Sequence, residues 1–201
     1  MSNKTTVPRS ENRKTKVALR EEVLREFVSK YPLRVLDCCA GHQYIWKALQ
    51  SEFPVESYVA LDVRNLPGVT RTDSVRWLRD VGLGTSNVVD IDCYGEPWMH
   101  YEVLLCTEWA QDEILCLLTV GLGAGATCGI SGNTLRFAGL GKDWESKLPK
   151  LSAETVSEIH RACMTACYEH GVEVVQFYEA VPSSNDMVCY ALWLKKTSPM
   201  T

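Results

Sequence analysis

Apolar positions along this chain switch between two periods, and the switches predict a regular alternation of helices and strands. Leu19, Val23, Leu24, Phe27 and Val28 recur at helical spacing within residues 17–31, charged residues fill the other face, and Pro32 ends the run. A short apolar run, 33–38, then reads as a buried strand, and 44–53 returns to the helical period. A second strand is expected at 57–63 and a short third at 69–72, before a helical stretch carrying Val75, Leu78 and Val81 that Gly82 and Gly84 stop. A fourth strand at 87–92 leads into a helix that opens with Glu96 and Pro97 and runs to about Gln111. Residues 113–120 are nearly all apolar and predict a fifth strand. The segment 121–142 is Gly-rich and is expected to be irregular, whereas 152–170 has a helical pattern with Ser152 as its N-cap. Two last strands, 172–181 and 187–196, flank the turn Pro182-Ser-Ser-Asn-Asp186 and read as a hairpin.

This order defines a fold class. Strand, helix and strand between Asp37 and Asp62 form the right-handed crossover that a parallel sheet requires. Five such strands and a closing hairpin predict an α/β protein. Its expected form is a doubly wound, mostly parallel seven-stranded sheet, Rossmann-like, with an antiparallel last strand. Asp37, Asp62 and Asp92 each end an apolar strand, and Ala40-Gly41 makes a small-residue turn after the first. Ligands of such sheets bind outside the carboxyl ends of the strands, where strand order reverses. A cofactor mouth is therefore expected at Asp37 and Gly41. No repeat or linker divides the chain, so residues 17–201 are expected to form one domain. Residues 1–16, polar and basic, are expected to form a flexible arm able to contact phosphates.

These residues resemble the class I S-adenosylmethionine-dependent methyltransferases over nearly the whole chain after Val17. Asp37-Cys-Cys-Ala-Gly41 is similar to the family's first motif, and the terminal hairpin to its antiparallel seventh strand. The resemblance implies S-adenosylmethionine as cofactor, with Asp37, Ala40 and Gly41 around its methionine part. It further implies that Asp62 holds the ribose hydroxyls, Val63 packs on the adenine and Asp73 meets the adenine amino group. Asp92-Cys93-Tyr94-Gly95 resembles the fourth motif of amino-group methyltransferases, above all the Asp-Pro-Phe-Gly of tRNA guanine-N2 enzymes, which also carry an acid where Asp90 stands. By that resemblance Asp92 orients an amine, Tyr94 stacks the base, and the substrate is an amino group of an RNA nucleobase, flipped out where it is paired. DNA and small molecules are further substrate classes. Two positions depart from the family: Gln43 stands where Gly is usual, and Cys93 replaces Pro. They motivate an alternative, a catalytically degenerate subunit that binds cofactor or a partner.

Composition narrows this picture only at its edges. A net charge of −4 argues against coating nucleic acid through bulk charge, leaving Arg64, Arg71, Arg76 and Arg79 as a local basic region. The absence of a long apolar run or a hydrophobic leader predicts a cytoplasmic protein without a membrane span. Nine cysteines, mostly within apolar runs, then read as reduced thiols. Cys93 echoes the nucleophile of RNA cytosine-C5 methyltransferases, but a packing thiol is the expectation, since that chemistry needs a second cysteine and only Cys128 offers one. His160, Cys163, Cys167 and His170 lie at helical spacing, yet four ligands along one helix cannot meet one ion, so core packing and no metal are expected. Gly121-Leu-Gly-Ala-Gly-Ala126 fits a dinucleotide fingerprint only nominally, because no helix is predicted next. Trp46, Trp98, Trp109 and Trp193 are expected in the core, with Trp98 also a candidate for substrate contact.

Overall fold

The computed structural model describes residues 9–93, 95–121, 130–141, 143–144, 152–183 and 187–197. Its strands are β1 (Leu33–Asp37), β2 (Val55–Asp62), β3 (Thr70–Arg71), β4 (Val88–Ile91), β5 (Glu113–Gly121), β6 (Val172–Ala180) and β7 (Met187–Lys196). Helices α1 (Arg9–Phe27), α2 (Tyr44–Leu49), α3 (Ser74–Asp80), α4 (Trp98–Cys106), α5 (Gly132–Phe137) and α6 (Ala153–Thr165) surround them. One seven-stranded sheet results, in the order β3-β2-β1-β4-β5-β7-β6. The first five strands pair in parallel, and β7 runs antiparallel to both β5 and β6. The doubly wound, mostly parallel arrangement expected from the apolar pattern is the one observed.

Strand order reverses at β1, which lies between β2 and β4, so the crossovers on its two sides leave a crevice above its carboxyl end. Helices cover both faces, which is why β1, β4 and β5 are buried along nearly their whole length rather than in alternation, with Asp37 and Asp90 among the buried positions. On one face Leu19, Val23, Leu24 and Phe27 of α1 pack with Trp46 and Leu49 of α2 onto Val35, Val88 and Leu115. On the other, Leu78, Trp98, Tyr101, Leu135, Ile159 and Cys163 from α3 to α6 pack onto Leu36, Ile91, Cys116 and Leu118.

Several boundaries move, each for a local reason. The first helix starts at Arg9, not near Val17, so half of the expected flexible arm is helical. Tertiary contacts accompany this: Arg13 donates to the Tyr44 carbonyl, and Lys16 pairs with Asp92. Residues 1–8 lie outside the described residues. The helix expected to open at Glu96 begins at Trp98 and ends at Cys106, where the Thr107 hydroxyl takes up the Val103 carbonyl. Within the stretch expected to be irregular, α5 forms because Ser131 caps it, its hydroxyl accepting from Thr134 N at 3.3 Å. The Gly-rich residues 122–129, Cys128 among them, are outside the described residues. Helix α6 gives way to one 3-10 segment, Ala166–His170, closed by Gly171 at φ 66°.

Candidate functional site

A cavity of about 750 Å³ opens at the switch point, between the amino-terminal half of α1, the β1–α2 loop and the residues after β4. Asn12, Arg13 and Lys16 form one wall; residues 39–43, Arg64, Asp92 and Cys93 form the others. That volume lies in the range of small-molecule sites, roughly 300–1,000 Å³.

The β1–α2 loop is shaped by its backbone. Ala40 N donates to the Leu61 carbonyl at 2.9 Å, which ties the loop to β2. Gly41 sits at φ 53°, and its N–H donates to Asp62 Oδ2 at 3.0 Å. A Cβ there would stand 3.3 Å from Arg64 Nη2, so glycine is fitted both by conformation and by space. Gln43 is the one described non-glycine residue with positive φ, at 60°. Its side chain turns away from the loop and donates to the Gly68 carbonyl at 2.9 Å.

Asp62 closes the end of β2. Besides Gly41 it accepts from Arg64 N at 2.8 Å, Arg64 Nε at 3.0 Å and Arg64 Nη2 at 2.9 Å. The hydrogen bond from the Arg64 side chain, with help from the two backbone N–H groups, holds its pKa down at about 2.

Beneath the cavity lies a buried polar network. Asp37 and Asp90 are register partners on β1 and β4, with one arginine between the sheet and α1. Arg20 grips Asp90 bidentately, Nε to Oδ2 at 2.8 Å and Nη2 to Oδ1 at 2.6 Å, and Trp46 Nε1 donates to the same Oδ2 at 2.8 Å. Burial opposes the Arg20 charge, but Asp90 beside it raises its pKa. Asp37 accepts from the Tyr58 hydroxyl at 2.7 Å. Its pKa is nevertheless raised well above the carboxylate range, by burial first and the neighbouring Asp90 second. Arg20 is thus paired with Asp90, and Asp37 holds a proton more readily than an ordinary acid.

Asp92 stands at the lip, where Lys16 Nζ approaches its Oδ1 to 2.5 Å. Beside it, Cys93 Sγ lies 2.6 Å from Cys39 Sγ and 3.5 Å from His100 Nδ1, and His100 Nε2 is 2.8 Å from the Ser74 hydroxyl. The hydrogen bond shared with Cys93 lowers the Cys39 thiol to about 6 in spite of burial, and the same bond, together with burial, raises that of Cys93.

Of the residues singled out in the sequence, Asp37, Ala40, Gly41 and Asp92 line the cavity, and Asp62 reaches it through Gly41 and Arg64. Val63 is 64% exposed beyond Arg64 and is not part of the lining. Asp73 caps α3, its carboxylate accepting from Arg76 N at 2.9 Å. Tyr94 lies outside the described residues. Trp98 is buried against Tyr101 and His160, which removes it as a substrate contact. His160, Cys163 and Cys167 face the core. Arg64 and Arg76 pair with Asp62 and Asp80, and Arg71 donates to the Val63 carbonyl, so much of the basic region is engaged locally. Lys16, Arg20, Tyr58, Arg64 and His100 were not foreseen at the site; their partners are 2 to 76 residues away in sequence, and only the Asp62–Arg64 pair was close enough to suggest itself.

No protein-family model matches the chain, and no curated protein matches it in sequence. Solved structures do. One described as "Putative methyltransferase yhhF from Escherichia coli" is 13% identical, covers 92% of this chain and 88% of its own, and superposes with a TM-score of 0.53. The plantazolicin methyltransferase BamL, solved with a triazolic desmethylPZN analog and SAH, is 11% identical at a TM-score of 0.53, covering 92% and 86%. A third, "Putative hemolysin from Streptococcus thermophilus", is 11% identical at 0.55, covering 91% of this chain and 66% of that one. The fold is that of these proteins. Among the described residues no helix is long and apolar enough to cross a membrane.

Proposed function

We propose that the chain is an S-adenosylmethionine-dependent methyltransferase, and that its substrate is an amino nitrogen, first among candidates that of an RNA nucleobase. The observation that carries the reading is the tie between Gly41 N and Asp62 across the mouth of the switch-point cavity. It puts a close-approach backbone and a ribose-binding carboxylate side by side, as the cofactor needs. The cavity volume and the positive φ at Gly41 fit such a group. When bound, the cofactor supplies a methyl group on a sulfonium, open to in-line displacement.

The residues of this chain then have positioning work to do. Ala40 and Gly41 present the loop backbone, and Asp62 holds the ribose once Arg64 yields its place. Val63 and Asp73 flank the adenine from outside the present cavity lining. Asp37, bonded to Tyr58, fixes the base of the loop. Asp92 accepts from the substrate amine and aims its lone pair, exchanging Lys16 for the substrate, with Tyr94 stacking the base. Calorimetry tests this directly. Asp62→Ala should weaken S-adenosylmethionine binding at least about tenfold, the worth of one charge-assisted contact; binding as tight as the parent's removes the reading. A labelled-methyl assay on total RNA, with DNA and small amines in parallel, separates the substrate classes.

A second reading has its own observation. Asp62 and Asp92 are both already engaged, by Arg64 and Lys16, which suits a partner-binding subunit of the same fold that performs no transfer. Cofactor binding without methyl transfer to any substrate class would favour it.

A further inference from the structure

Three soft ligands from three separate elements converge at one corner of the cavity. Cys39 comes from the β1–α2 loop, Cys93 from the segment after β4, and His100 from the first turn of α4; their ligating atoms all lie within 4.8 Å of one another. We propose that Cys39, Cys93 and His100 form a binding site for a soft divalent cation such as zinc.

The spacing favours a cation over its rivals. In a tetrahedral zinc site the bond lengths put a sulfur and a ligating nitrogen about 3.6 Å apart. Cys93 Sγ lies 3.5 Å from His100 Nδ1 and 3.7 Å from Nε2, both close to that value. Nε2 lies 2.8 Å from the Ser74 hydroxyl, and in the tautomer in which Nε2–H donates to that oxygen the Nδ1 lone pair is left for the metal. A ligating histidine fixed through its second nitrogen is the usual support of a metal centre. The two sulfurs, 2.6 Å apart, already face each other, as two ligands of one ion must. A disulfide would account for the two cysteines alone. A cation between them also uses His100 and gives Ser74 its place, and it asks the sulfurs to part to about 3.8 Å, a side-chain rotation at the cavity edge. Both cysteines are half-buried and line the cavity, which provides the path of entry. Water fills the fourth position. So bound, the cation fastens the first-motif loop to the fourth-motif segment and to α4.

This site is read without methyl transfer, so it stands or falls apart from the function proposed above. The full-length protein, reduced with a phosphine and stripped by a chelator, is titrated with cobalt(II) as the spectroscopic probe. One equivalent should give a thiolate-to-cobalt absorption and the visible bands of a tetrahedral ion, both abolished by one equivalent of zinc. Cys39→Ser, Cys93→Ser and His100→Ala should each weaken binding by about 100-fold or more, and Ser74→Ala by about tenfold, as loss of an outer-shell partner does. Cys106→Ser, an exposed thiol elsewhere, should bind as the parent does. A reduced parent protein that shows no thiolate-to-cobalt band overturns the proposal, whatever the variants do. So does binding that survives all three ligand substitutions. An oxidised protein about 2 Da lighter through a Cys39–Cys93 bond, which after reduction takes up no cobalt, overturns it in favour of a disulfide.

Discussion

Lys16 Nζ and Asp92 Oδ1 stand 2.5 Å apart across 76 residues of chain, and both side chains are less than one-fifth exposed. The first helix thereby reaches over the carboxyl end of β4 and closes the cavity with a charge pair. Lys16 occupies one of the two Asp92 oxygens, and the same helix that walls the site also carries Arg20 into the core beneath it.

A double-mutant cycle on this pair measures that closure. Lys16→Met and Asp92→Asn should couple by about 1 kcal/mol in urea unfolding, the upper range for a pair that keeps some contact with water. Additive effects would mean that the pair does not form in solution.

Arg20 and Asp90 are each 1% exposed, and there the balance is different. Asp90→Asn or Arg20→Met alone should cost about 3–5 kcal/mol, because the remaining charge stays buried without its partner. Arg20→Met with Asp90→Leu should recover most of that loss. A single substitution costing less than about 1 kcal/mol would contradict the buried pair.

Asp37 sets a pH dependence on the alkaline side. Its folded pKa is raised, so the folded chain binds that proton more tightly than the unfolded one. The resulting stability is fully present below the ordinary carboxylate value and is lost as pH rises through the folded value. Asp37→Asn keeps an acceptor for Tyr58 and has no proton to lose. The stability of the parent relative to this variant should fall with rising pH over that window; a difference independent of pH from about 4 to 8 would refute it.

Asp62 behaves in the opposite sense. Its pKa is held at about 2, so its contribution is present above the ordinary value of about 3.9 and is lost as pH falls toward 2. Carbon-detected NMR of the carboxyl should place its titration below that of the exposed acids. Arg64→Ala should move it back upward, since the arginine side chain is the largest cause of the shift. An unmoved titration would show that the backbone donors alone set it.

Gln43 supplies the last test. Its φ of 60° costs a residue with a Cβ about 1 kcal/mol, which a glycine does not incur. Both Gly and Ala lose the bond to Gly68, so Gln43→Gly should be more stable than Gln43→Ala by about 1 kcal/mol in thermal unfolding. Equal stabilities would mean that the loop relaxes away from the left-handed conformation.

The apolar periods carried most of the architecture. Runs such as 113–120 and 187–196 are long and continuously apolar enough that only a sheet covered on both faces could take them. Asp37, Ala40, Gly41 and Asp92 could be placed at one mouth because parallel strands bring their carboxyl ends to the same side. The beginning of α1 was not legible, since residues 9–16 are polar and basic and find their partners at Tyr44 and Asp92, far away in sequence. Nor was α5, a single capped turn or two inside a Gly-rich stretch. Trp98 looked available near the fourth motif, but the turn before α4 aims it into the core.

By itself the sequence determined the strand order's raw material: which segments are buried on both sides, where each strand ends, and which acids stand at those ends. These follow from local period and composition, because burial repeats with the geometry of the element. Only the tertiary structure decided who meets whom. Cys39, Cys93 and His100, or Lys16 and Asp92, are brought together by crossovers that put distant carboxyl ends within one cavity. A pairing of that kind depends on the whole sheet and both helical layers, and no local pattern of residues encodes it.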